Sequence, residues 1–226
     1  MHSDIANKIA KFHGQFQEDK HHRYKSWEHC YSYFKKNQID ADQACLHLAF
    51  YLASWGMYRG SSFLLWKDYL LHKEVVKHLI ANKHLQSIDF TTINDETVNE
   101  MIGLFAWIKK WYADNAGKIN GDDRTANVTD TLVTKIVLGT LGCVPAYDRY
   151  FIAGLEAQEI SPRKPTFAGI KKLVSFYVKH LDQFEALSSK MKTDNGIAYP
   201  SMKLVDMYFW QTGIEIERKR TLGQVT

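Results

Sequence analysis

Two side chains able to do chemistry lie thirteen positions apart, on either side of a turn. Lys135 falls within 128–139, where Val, Leu and Ile recur at helical spacing. Gly142 favours the positive φ that ends a helix, and Pro145 prevents an immediate restart. Asp148 then stands where a new helix begins, a position at which carboxylates cap free backbone N–H groups. The pattern predicts an amine and a carboxylate at the two ends of a helix–turn–helix.

Each of the two residues also has a purely structural explanation. A single lysine on an amphipathic helix is usually a solvated surface charge. A single aspartate after a turn is usually a helix cap. The placement of Lys135 and Asp148 on either side of Gly142 and Pro145 supports a functional role for the pair more than either residue does alone.

The lysine-bearing helix, the glycine turn and the step Val144-Pro145-Ala146-Tyr147-Asp148 resemble the helix-hairpin-helix DNA glycosylases, particularly the 8-oxoguanine glycosylase branch. The resemblance covers about residues 125–215. It implies that Asp148 supports attack at C1′ of a flipped nucleotide and that Lys135 is an amine nucleophile. The connection between the two is shorter than is usual in that family, and the characteristic Leu-Pro-Gly-Val-Gly hairpin is absent.

Such an enzyme would bind double-stranded DNA and take the target base out of the stack. We expect backbone amides around Gly139 and Gly142 to hold a phosphate, with Arg149 adding affinity that does not depend on sequence. A second turn, 55–60, brackets an aromatic residue and Arg59 between two glycines. Arg59 is therefore a candidate for contact with an anion. The alternative for this segment is an ordinary corner between helices, capped by Ser61 or Ser62.

Five residues are candidates for lining a base pocket, four of them aromatic. Asp206 and Trp210 lie one helical turn apart near the end of the sequence and so share a face. The alternative is that these aromatic side chains belong to the core, as large aromatic residues on helices often do. The candidates are Trp55, Tyr58, Tyr147, Asp206 and Trp210.

The composition limits the partners of the chain. It has 226 residues, 45% of them hydrophobic and 24% charged, with a formal net charge of +4. This charge permits a polyanionic partner without requiring one. No apolar run is long enough for a membrane helix, and the first residues lack the order of a signal peptide. We therefore expect a cytoplasmic protein, and we expect it to be a monomer. Because metal-ligand spacings and nucleotide-binding motifs are missing, we expect no metal and no cofactor.

Helical periodicity recurs along the whole chain, and no series of strands is evident. The predicted class is all-α, as two closely packed helical lobes, 1–114 and 128–226, joined by the polar connection 115–127, or as one domain. A helix-hairpin-helix-like element and a cleft between the lobes complete the prediction. The candidate helices are 3–17, 25–36, 41–55, 62–82, 95–114, 127–139, 148–157, 167–190 and 200–212.

The leading interpretation is a DNA glycosylase that excises a damaged or modified base, in repair or in defence against modified foreign DNA. The resemblance leaves open whether strand cleavage follows. The alternatives are a helical module that binds nucleic acid or protein without catalysis, and an adaptor of toxin or antitoxin type. Only the first of these requires Asp148 for turnover.

Overall fold

Polar side chains cap the two helices that carry the site, and Asp148 caps the second of them as predicted. The computed structural model describes residues 2–223 and contains ten α-helices in that range, so the all-α class is confirmed. The helices are α1 (His2–Glu18), α2 (Lys25–Phe34), α3 (Ala41–Ser54), α4 (Lys73–Ala81), α5 (Asp95–Asn115), α6 (Asp130–Thr140), α7 (Arg149–Ala157), α8 (Phe167–Lys179), α9 (Leu181–Ser188) and α10 (Ser201–Thr221).

Five helices start at a side chain that accepts a hydrogen bond from the first turn. These caps satisfy backbone N–H groups that have no partner within the helix. They fix the first residue of each helix, including the two helices on either side of the glycine turn. The capping residues are Asp40 of α3, Asn94 of α5, Thr129 of α6, Asp148 of α7 and Thr166 of α8.

The predicted continuous helix over 62–82 is wrong. Two 3₁₀ turns, Phe63–Trp66 and Tyr69–His72, precede α4. Ser62 accepts a hydrogen bond from the backbone of Leu64, and Asp68 accepts one from the backbone of Leu70. These two local caps interrupt the segment although its apolar spacing is helical.

Two other predicted helices differ from the structure, one by a break and one in its end. The segment 167–190 is divided at His180 into α8 and α9. The last helix was expected to end at 212, before Gly213, but α10 continues to Thr221. Gly213 lies inside α10, at the point where this helix packs against α7.

α7 and α10 approach so closely that glycine is required on both helices. A Cβ atom on Gly154 would lie 2.1 Å from the carbonyl oxygen of Phe209. A Cβ atom on Gly213 would lie 1.8 Å from the carbonyl oxygen of Tyr150. The backbones are therefore in direct contact, and this contact fixes the first turn of α7 against the middle of α10.

Helices from both sides of the polar connection share one hydrophobic core. α1 packs on α10, and α2 packs on α6. The buried apolar side chains of the described residues form a single cluster that includes members of every α-helix. The packing therefore joins the two halves of the sequence directly. None of the helices within residues 2–223 has the length and apolar character needed to cross a membrane.

Candidate functional site

The structure brings Lys135 and Asp148 together. The Lys135 Nζ atom lies 3.5 Å from Asp148 Oδ2, although the two residues come from different helices. The exposed fraction is 5% for the Lys135 side chain and 12% for the Asp148 side chain. Lys135 is thus not the solvated surface lysine that a single residue on an amphipathic helix would usually be. The pair forms a largely buried amine–carboxylate contact.

The environment of Lys135 changes its acid–base properties. Its Nζ donates a hydrogen bond of 3.0 Å to the backbone carbonyl of Trp55 and lies 5.6 Å from the centroid of the Trp55 ring. Burial lowers the pKa of Lys135 from its usual value, and the charges of Asp148 and Asp206 oppose this change. A buried amine with a lowered pKa is more readily available as the neutral nucleophile.

Asp148 has a separate role for each carboxylate oxygen. Oδ1 accepts hydrogen bonds of 3.1 Å from the backbone N–H groups of Tyr150 and Phe151, which makes Asp148 the N-cap of α7. Oδ2 faces the Lys135 amine. The cap therefore holds the carboxylate in the orientation that meets the amine.

Three side chains fix the loop that carries Asp148. The Tyr147 N–H donates to Thr134 Oγ1 at 2.9 Å, and the Thr131 hydroxyl donates to the Tyr147 carbonyl at 2.8 Å. On the other side, the Ala146 N–H donates to Asp206 Oδ1 at 3.0 Å. The loop is therefore attached to α6 and to α10 before α7 begins.

A second buried pair, Lys203 and Asp206, supports this loop from α10. Lys203 Nζ donates to Asp206 Oδ2 at 2.9 Å, and both side chains are at most 5% exposed. Burial raises the pKa of Asp206, while Lys203 lowers it. Lys203 Nζ also lies 5.0 Å from the ring centroid of Phe12 and 5.6 Å from that of Trp55. The Lys203 amine thus lies near the same Trp55 ring that the Lys135 amine contacts.

Lys135 and Asp148 line a cavity of about 300 Å³. This volume is at the lower end of the range for small-molecule sites, about 300–1,000 Å³. Residues before the polar connection form one part of the wall and residues after it form the other. The other lining residues are Arg23, Trp55, Gly56, Met57, Arg59, Thr131, Arg149, Tyr150 and Trp210.

Aromatic rings, together with Met57, make up the apolar part of the cavity wall. Trp210 contacts Trp55 and Tyr150 edge-on, with ring centroids 6.1 Å and 5.1 Å away. Trp55 also stacks on Tyr24 at 4.8 Å. The indole nitrogens of Trp55 and Trp210 are buried without a hydrogen-bond partner among the described residues. Ring packing, rather than hydrogen bonding, therefore positions the two indoles.

Three exposed arginines surround the cavity. Arg23 donates to the carbonyl of Ser54 at 2.8 Å and lies over the Trp55 ring. Arg149 lies over the Tyr150 ring at 4.5 Å and is 3.5 Å from Glu217. Arg59 lies against the backbone of Gly56, whose φ of 75° allows this turn. Their guanidinium groups give the opening a cationic edge suited to phosphate or carboxylate oxygens.

The structure places the predicted site residues in two groups. Five of them lie outside the cavity wall. Four others, Trp55, Arg59, Arg149 and Trp210, line the cavity beside Lys135 and Asp148. The five outside are Tyr58, Gly139, Gly142, Tyr147 and Asp206.

The two glycines do not offer their amides to a phosphate. Gly139 lies within α6, where a Cβ atom would be 2.4 Å from the Tyr51 ring. Gly142 has the predicted positive φ, 68°, but it is buried, and its N–H already donates to the Val137 carbonyl at 2.9 Å. The phosphate contact expected at this turn is therefore not available in the structure.

The other three residues act behind the wall. Tyr58 shares a hydrogen bond of 2.8 Å with His72 Nε2, and this contact attaches the loop after α3 to the core. Tyr147 is buried, and its ring packs on Phe151. Asp206 supports the loop through Ala146 instead of facing the cavity. All three position the wall and do not form part of it.

Sequence reasoning missed Arg23, Thr131 and Tyr150. Arg23 follows a polar turn far from the glycine turn in sequence, and no local pattern marks it. Thr131 was recognisable only as a polar residue one turn before Lys135 on the same helical face. Tyr150 was open to inference, since it lies in the first turn of the helix that Asp148 caps.

The described residues contain no group of three or more His, Cys, Asp or Glu side chains placed to hold a metal ion. The three cysteines are buried free thiols, and none lines the cavity. The polar groups of this site are thus an amine, a carboxylate, hydroxyls and guanidinium groups.

Comparisons of the chain with protein-family models, curated proteins and solved structures found no significant match.

Proposed function

We propose that the chain is a DNA glycosylase that excises a damaged or modified base, in repair or in defence against modified foreign DNA. The observation that carries the proposal is the contact between the buried Lys135 amine and the Asp148 carboxylate, 3.5 Å apart in one cavity. The aromatic wall offers surfaces for a planar base, and the arginines at the opening offer donors for phosphate oxygens.

Cleavage of an N-glycosidic bond develops positive charge on the sugar. A carboxylate near C1′ stabilises that charge, which is the role we assign to the Asp148 Oδ2 atom. The neutral Lys135 amine attacks C1′ and forms a C–N bond, while the base leaves with the electrons of the bond that breaks. Asp148 accepts the proton lost by the nitrogen, and the leaving base acquires a proton from water. Ring opening of the sugar then gives an imine, which water hydrolyses.

The proposal is tested by base release from DNA of different modification states. Unmodified DNA and DNA carrying oxidised, alkylated or hypermodified bases are incubated with the protein, and abasic sites are detected with an aldehyde-reactive probe. We expect abasic sites with at least one modified DNA. D148N should lower the rate about 10²- to 10⁴-fold, the usual contribution of a general base.

D40N is the matched control for D148N. Asp40 caps α3 as Asp148 caps α7, and asparagine is an equally good cap at both positions. D40N should therefore fold and retain the wild-type rate. Abasic sites on no DNA, or equal rates for D148N and D40N, would refute the proposal.

Borohydride separates attack by Lys135 from attack by water. Reduction of an imine would leave a covalent protein–DNA adduct that survives denaturing electrophoresis, and K135Q should form none. Base release without an adduct in the wild-type protein would leave Asp148 in its role and assign the attack to water.

A further inference from the structure

The Lys135 cavity shares lining residues with two neighbouring depressions. A depression of about 490 Å³ along α10 shares Arg149 and Tyr150 with the cavity. A second depression, of about 220 Å³, shares Gly56, Met57 and Arg59 with it on the other side. We call these the α10 depression and the loop depression. Because the cavity shares lining residues with each depression, the three adjoin one another; we call them together the three-part groove, and an arginine, Arg59 or Arg149, belongs to each shared boundary.

The lining of this groove carries a net positive charge. Its arginines are Arg23, Arg59, Arg149 and Arg218, and its carboxylates are Asp148 and Glu217. With the Lys135 amine neutral, as the proposed attack requires, four arginines and two carboxylates give +2. Concentrating charge of one sign in a groove attracts a ligand of the opposite sign. This charge distribution favours an extended anionic ligand over a small neutral one.

The two flanking depressions differ in chemistry. The α10 depression presents Tyr150, Ile214 and Leu222, which are surfaces for a planar or apolar group. The loop depression presents Ser61, Asn127 and Thr129, whose side chains can exchange hydrogen bonds with a sugar or a base edge. A nucleic-acid strand offers both kinds of group at every unit, with a phosphate between neighbouring units.

We infer that the three-part groove binds one strand of DNA over three successive nucleotides. The central nucleotide enters the Lys135 cavity, its neighbours occupy the two depressions, and the phosphates between them contact Arg59 and Arg149. This inference rests on the proposed function, because it names the strand on which the site acts. It assigns Arg218 to binding as well, as the second arginine of the α10 depression.

Glu217 gives the inference a test of opposite sign. Its carboxylate lies 3.5 Å from the Arg149 guanidinium, so a phosphate at Arg149 must compete with it. E217Q should therefore tighten strand binding, whereas R59Q, R149Q and R218Q should weaken it. A purely structural role for these residues would not produce both signs.

The experiment measures binding of a fluorescent single-stranded oligonucleotide by anisotropy at several salt concentrations, in the D148N background to prevent turnover. Each phosphate contact contributes about 0.7 to the slope of log affinity against log salt for a single strand. We expect R59Q, R149Q and R218Q each to reduce the slope by about 0.7. The control is R163Q, because Arg163 is exposed and lies outside the groove, near Glu156. It should leave the slope unchanged.

Two outcomes would overturn the inference. One is equal slopes for the groove variants and R163Q. The other is displacement of the oligonucleotide by polyglutamate at the same charge concentration, which would indicate a site for any polyanion. The proposed chemistry fails separately: normal slopes without base release by the wild-type protein would retain the groove and remove the glycosylase. Base release with unaltered slopes would do the reverse.

Discussion

Replacing Gly213 with alanine tests the contact that positions the site. The new Cβ atom would lie 1.8 Å from the Tyr150 carbonyl oxygen, whereas ordinary contact begins at 3.4 Å. The two helices would have to separate by about 1.6 Å, and the atom in the way is backbone, which cannot rotate aside. Overpacking of this kind typically costs about 1–3 kcal/mol, and we expect G213A to reach about 3 kcal/mol.

Gly103 provides a matched control within α5. It is also a glycine inside a long helix, but it is exposed, and a Cβ atom there would meet nothing within 4 Å. G103A should therefore stabilise the chain by about 0.5–1 kcal/mol, since alanine restricts the unfolded chain and favours the helix. The same chemical change should have opposite signs at the two positions.

Urea unfolding measures both effects. G213A should lower the midpoint at an unchanged m-value, and G103A should raise it. In a thermal scan, a loss of about 3 kcal/mol corresponds to a decrease in Tm of roughly 6–12 °C for a chain of this size. G213A should also weaken oligonucleotide binding, because Arg149 and Tyr150 lie in the helix that moves. A stability of G213A equal to or above that of G103A would refute the close approach of α7 and α10.

Two further predictions concern buried ionisable groups. Burial lowers the pKa of His72 from 6.5 to about 4, so the unfolded chain binds a proton more readily than the folded chain between these values. The free energy of unfolding should fall by about 3 kcal/mol as the pH decreases through this window. In H72Q this pH dependence should be weaker. Urea unfolding at a series of pH values measures both. K203M should cost about 3–5 kcal/mol, because it leaves the Asp206 carboxylate buried without its positively charged partner. Adding D206N should recover part of that cost, and strictly additive single costs in a double-mutant cycle would contradict the coupling.

The sequence predicted the parts of the fold that depend on local chemistry. Asp148 starts α7 through its own side chain, so its residue type and its place after Pro145 were sufficient to locate the cap. The break of the helix expected over 62–82 also depends on caps, Ser62 and Asp68, but the apolar spacing obscured it. The end of α10 was misplaced for a different reason. Glycine is common just after a helix end, and only the contact with α7 shows why a glycine lies inside α10 instead.

The site was predictable to the extent that it lies near the glycine turn. Lys135 and Asp148 are close in sequence, and the turn that brings them together is encoded between them. Arg23 and the carbonyl of Trp55 come from more than 75 residues away, and nothing local indicates that they reach Lys135. The roles of Gly139 and Gly142 were misjudged because spacing reveals where a turn lies but not whether its amides face solvent.

The dependence of α7 on α10 has a consequence during synthesis of the chain. A ribosome releases Lys135 and Asp148 well before Trp210 and Gly213. Until α10 has emerged, α7 lacks its packing partner, the Asp148 loop lacks its attachment to Asp206, and the cavity lacks the indole of Trp210. Nascent chains should therefore carry both reactive groups without a formed site. The proposed activity would require α10 to have docked.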